Sequence, residues 1–119
     1  MLSPDTLAPL RAAVRDARSA LLADDLEAWH QASLRFHDGL VALASNRHLA
    51  RLHEELKVSL RRYQVSIISL PGQPDRSHAE HQAILDAIQA GRLAQADDLV
   101  AQHITNLKEA VLKAMARTA

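Results

Sequence analysis

A chain of 119 residues fits one domain and, once folded, hides about two thirds of its extended surface, enough for one core. Its 14 basic and 14 acidic residues cancel, with no basic stripe, which argues against direct nucleic-acid binding. It has no cysteine, which excludes disulfides, thiolate metal sites and cysteine nucleophiles. Apolar runs are too short to span a membrane, and the opening MLSPDTLAPL lacks the plan of a secretory leader. The expected setting is the cytoplasm.

Alanine and leucine dominate, aromatics make up 3% and glycine numbers 3, a composition that favours helices over strands. Ser3-Pro4 reads as a helix start, a capping hydroxyl followed by proline at the first helical position. The first helix is expected to run to about Ala23, with Leu7, Leu10, Val14, Ala17 and Leu21 on one face. Asp24 and Asp25 break it, and either can cap the next helix, Leu26 to Ala44, whose apolar stripe includes Trp29, Leu34, Phe36, Leu40, Val41 and Leu43. Asn46 is a suitable cap for a third helix, 47–70, in which Leu49, Leu52, Leu56, Leu60, Tyr63 and Ile67 keep the period. Its tail, Val65 to Ser69, is β-prone locally. Pro71-Gly72-Gln73-Pro74 is the strong breaker. A fourth helix is expected from Asp75 or Ser77 to about Ala90, stopped by Gly91, and a fifth from Leu93 to about Ala116. No repeat or second domain is visible, and short connections imply antiparallel neighbours. The expected fold is an all-α antiparallel bundle of about five helices in a single domain, 1–119.

Seven histidines are a large number for this length. His37 sits among Phe36, Leu40 and Val41; His81 precedes Ile84, Leu85 and Ile88; His103 lies among Leu99, Val100 and Ile104. Each falls beside or within the inward stripe of a different helix, so the three can converge. Imidazole is the commonest metal ligand, and bundle cores build metal sites from facing helices. A lone histidine on a mixed face is more often satisfied by a neighbour or by water. His30, His48, His53 and His78 are read as solvated, although His78 lies three residues before His81 and can share its side of the helix.

Other chemistry has weaker support. Ser33 and His37 lie one turn apart, but no glycine-rich elbow or oxyanion motif accompanies them. Glu80 precedes His81 directly, so their side chains diverge by about 100°, and Glu80 is read as a cap or an arginine partner. Tyr63 is in register with Leu56 and Leu60 and should face inward. Arg62 flanks that face, and arginine suits a carboxylate ligand because it binds in bidentate fashion.

Phe36-His37-x-x-Leu40 followed by Asn46, then Glu80-His81-x-x-Ile84-Leu85-x-Ala87-Ile88-x-x-Gly91, then Ala96 and His103-Ile104, resemble the successive motifs of the FCD domain. This is the all-helical effector-binding half of many GntR-type bacterial transcription regulators. The resemblance covers nearly the whole chain and is most specific over 80–104. It implies that His37, His81 and His103 take the family's three histidine roles around a divalent metal, zinc or nickel, which helps hold a small carboxylate effector. Ser33 and Asn46, at motif positions, are expected in the effector site, and Arg62 and Tyr63 join them as candidates on their register alone, the alternative being that the arginines are solvated at the surface. The family aspartate, four residues before the first histidine, is replaced here by Ser33.

The winged-helix DNA-binding domain and the first family helix are both expected to be missing. DNA would then be reached only through a separate winged-helix domain, and the apolar surface uncovered by the missing helix points to a homo-oligomer, most simply a dimer. The expected function is effector sensing without catalysis. The alternatives are a stand-alone metal-binding bundle or metalloenzyme, and a plain dimerisation module.

Overall fold

The computed structural model describes residues 4–43, 51, 54, 58 and 70–118. Among them are four α-helices and no strand: α1 (Pro4–Leu22), α2 (Leu26–Leu43), α3 (Gln73–Gln89) and α4 (Leu93–Thr118). The helix expected over 47–70 lies outside the described residues except at Arg51, Glu54 and Val58, which are helical, and Leu70, which sits in a bend. No described helix is long and apolar enough to cross a membrane.

Local chemistry sets the joints. Asp24 takes a left-handed conformation, φ 55°, one that aspartate tolerates better than most residues. Asp25 caps α2 by accepting a hydrogen bond from the Ala28 amide at 3.0 Å. The helix expected to begin at Asp75 or Ser77 begins earlier, at Gln73. Gly72 turns the chain at φ 73°, and Pro74 falls in the first turn, where its missing N–H costs nothing. At the other end of α3, Gly91 (φ 75°) donates to Ile88 and Arg92 donates to Ala87, the paired bonds of a glycine-stopped helix.

The tight α1–α2 turn makes an antiparallel hairpin, and α1 also packs on α3, which pairs with α4. The main core gathers Leu7, Leu10, Ala13 and Val14 of α1 with Phe36, Ile84, Leu85 and Ile88. A second cluster, Ile104, Leu107, Ala110, Val111 and Ala114, runs along α4. A third joins Ala17 and Ala20 to Trp29 and Ala32 across the hairpin. α1 and α2 pack tightly at Gly39, where an added Cβ would lie 2.8 Å from Leu10 Cδ2. The missing side chain lets Leu10, 1% exposed, seat between the helices beside Phe36. Leu10→Ala should therefore lower the unfolding free energy by about 2–5 kcal/mol in urea titration. A loss under about 0.5 kcal/mol, typical of surface sites, would contradict this packing.

Candidate metal and effector site

Helix periodicity places three histidines inside the bundle: His37 of α2, His81 of α3 and His103 of α4, exposed to only 3%, 1% and 2%. Their Nε2 atoms form a nearly equilateral triangle: 3.0 Å from His37 to His81, 3.1 Å from His37 to His103 and 3.1 Å from His81 to His103. The Phe36 ring stacks on His81 with centroids 4.5 Å apart, and the His37 and His81 rings meet edge to face.

Hydrogen bonding alone cannot satisfy this triangle. Each Nε2 of a neutral ring is either one donor or one acceptor. With one donor, two lone pairs face each other; with two donors, two N–H groups do. One side is therefore always repulsive, in a setting where an unmet polar group is costly. A cation removes the conflict, because all three lone pairs can then point at one positive charge. The size also fits. The corners of a triangle with sides of 3.0–3.1 Å lie about 1.8 Å from its centre, within the zinc–nitrogen distance of about 2.0–2.1 Å, so one ion can touch all three. These three residues are the one group of potential ligands gathered this closely among the described residues.

Glu80 completes the arrangement, and sequence reasoning misplaced it. Its side chain does diverge from His81, but the divergence carries it across to α4. There His103 Nδ1 donates to Oε1 at 2.6 Å, and Asn106 Nδ2 donates to Oε2 at 2.6 Å. Burial alone would raise the Glu80 carboxyl. The hydrogen bonds from His103 and Asn106, helped by the positive charge of Arg76, outweigh it and hold the group below its ordinary value. An ionised Glu80 keeps the proton on His103 Nδ1 and leaves the Nε2 lone pair facing the triangle, the orientation a metal ligand needs. The signal for Asn106 was its place one turn after His103, on the same side of α4.

The other expected site residues divide. Ser33 is buried on α2, one turn before His37. Asn46, Arg62 and Tyr63 lie outside the described residues, as do His48 and His53. His30, expected in solvent, is instead 6% exposed. It precedes His37 by seven residues, two turns, and so shares its inward face. Burial lowers its pKa against the opposing effect of Glu27. His78 is half-buried, and its pKa is lowered by burial and by Arg18, against Asp75.

Burial, and then the charges of His37, His103 and His78, push His81 well below its usual 6.5. Below about pH 6.5 the unfolded chain takes up a proton that the folded chain refuses. His81 thus contributes stability that is present above that pH and lost as pH falls, with a slope of at most about 1.4 kcal/mol per pH unit. His30 and His78 act in the same direction. Urea titrations of the metal-free protein between about pH 7 and pH 5 should show stability falling with acid. A flat profile would contradict a neutral, buried His81.

A protein-family model described as the FCD domain matches residues 1–106. No curated protein and no solved structure matches the chain.

Proposed function

The chain belongs to the FCD domain family, and from that premise we propose that it is the sensory module of a GntR-type transcription regulator, binding a small carboxylate beside a divalent metal on His37, His81 and His103. The observation that carries this reading is the triangle of buried Nε2 atoms, 3.0–3.1 Å on a side, which no set of neutral tautomers satisfies. The metal, zinc or nickel, would supply positive charge and a Lewis-acid position for an incoming oxygen. The chain's own residues hold the three rings, fix the His103 tautomer through Glu80 and exclude water by burial.

Charge supports the carboxylate. Three neutral imidazoles and Ser33 offer a divalent ion no anionic ligand, and Glu80 acts only through His103. In a buried site such charge calls for a counter-ion. An effector carboxylate supplies it, and Ser33, one turn from His37, stands where its neighbours would be. The same geometry argues for sensing over hydrolysis. A metal hydrolase needs a free general base beside the open position, and both oxygens of Glu80, the carboxylate at this cluster, are already engaged. Control of DNA would be exerted through a separate winged-helix domain. Dimerisation is proposed alongside it, and Leu112 and Met115, exposed three residues apart on α4, are apolar surface suited to a second copy.

Protein purified without chelator or column metal should contain close to one zinc or nickel per chain, and the His37, His81, His103 triple alanine variant should contain none. Absence of metal in the native chain after incubation with both ions would sink the metal reading. Glu80→Ala should fold and weaken zinc binding about 10–100-fold, as measured by competition with a chromogenic chelator.

A further inference from the structure

Glu80 reaches from α3 to α4 and is held there at two points, by His103 Nδ1 on Oε1 and by Asn106 Nδ2 on Oε2, each at 2.6 Å. The two donors lie three residues apart on one face of α4, so a single carboxylate spans them. Asn106 has a further partner: Gln102 Nε2 donates to its Oδ1 at 3.0 Å. These contacts have one consistent direction. An ionised carboxylate only accepts, so the groups facing it must be the Asn106 amide nitrogen and the His103 N–H. The Asn106 oxygen is thereby turned toward Gln102, which must then donate.

The chain of contacts runs from solvent to the buried site. Gln102 is exposed, Asn106 half-buried, the Glu80 side chain 22% exposed and His103 2%. Glu80 therefore stands at the boundary with solvent, where other partners compete for it. Water is one. Arg76, exposed one turn earlier on α3, is another, at the spacing of an intrahelical ion pair. A carboxylate held at one oxygen can swivel about that contact, and a glutamate gains rotamer freedom by leaving. The second contact, to the short side chain of Asn106, fixes both the place and the plane of the carboxylate. Without Glu80, His103 could carry its proton on Nε2, facing His37 and His81 at 3.1 Å, where a metal ligand needs a lone pair.

We propose that Asn106, its amide oriented by Gln102, is a positioning residue of the three-histidine site: it clamps Glu80 onto α4 and so commits His103 to the tautomer that presents a bare Nε2. This inference rests on the metal reading proposed above and adds to it a residue that acts on the site only through Glu80 and His103. The clamp matters because the triangle cannot set the tautomer itself. Its three nitrogens are nearly equidistant and favour no one assignment of protons, so the choice at His103 is made from behind the ring.

The test reads the ring and the metal separately. In the metal-free full chain, at a pH above the ordinary histidine range, long-range proton–nitrogen NMR distinguishes the protonated from the bare nitrogen of each imidazole. Native His103 should carry its proton on Nδ1. Asn106→Leu, similar in size but unable to donate, should move the His103 nitrogens toward a mixture of the two tautomers. With zinc alone, in competition with a chromogenic chelator, it should weaken binding about 3–10-fold, short of the about 10–100-fold expected for loss of Glu80 itself. In a Glu80→Ala background the same substitution should have no further effect, because its route to the metal is already cut. A native His103 protonated on Nε2 would overturn the inference before any variant is made. So would an Asn106→Leu chain that keeps the native His103 signal, or a loss of zinc affinity that adds in full to that of Glu80→Ala, as a packing defect would. A chain that takes up no zinc would sink the metal reading, while the His103 signal would still decide the role of Asn106.

Discussion

Three imidazole nitrogens held within 3.1 Å of one another, away from solvent, are the constraint that organises this protein. Each can give or take one hydrogen bond, so the triangle cannot be satisfied from within, and low surrounding polarity sharpens the conflict. The arrangement stands because packing enforces it. Phe36 stacks on His81, Ile84 and Leu85 are buried a turn further along α3, and Glu80 with Asn106 fixes His103 from behind. Such a site stores an unmet demand for positive charge, and the apolar core opposes its relaxation.

The scaffold that enforces it is economical. Asp25, Gly72 and Gly91 set the helix boundaries, so α2, α3 and α4 each present a histidine at one level. Leu10, seated against the bare Gly39, locks α1 onto α2 and so fixes the height of His37. A site built from single residues on separate helices depends wholly on such packing, because no short loop carries the ligands together.

Charge then connects the structure to the proposed sensing role. With serine one turn before His37, a divalent ion would be held by neutral groups alone. Its affinity and that of an anionic ligand would then be linked, since each would relieve a cost imposed by the other. In the proposed reading, the domain would respond to the anion and the metal as a pair.

Much of this was legible in the sequence. The 3.6-residue period named the inward faces of α1 and α2, the aspartate pair and Gly91 marked helix ends, and His37, His81 and His103 each fell on or beside an apolar stripe. The motifs around Glu80-His81 pointed to the FCD domain, whose model matches residues 1–106. Periodicity failed where a partner on another helix decided the outcome. It gave the direction of Glu80 relative to His81 but not that His103 and Asn106 would be waiting there. It left His30 in solvent, although two turns of helix align it with His37. The sequence by itself determined which residues face inward, because helical geometry is local and repeats along the chain. Only the tertiary structure decided which inward residues meet, because that depends on how separate helices stack, and stacking is set by the whole core at once.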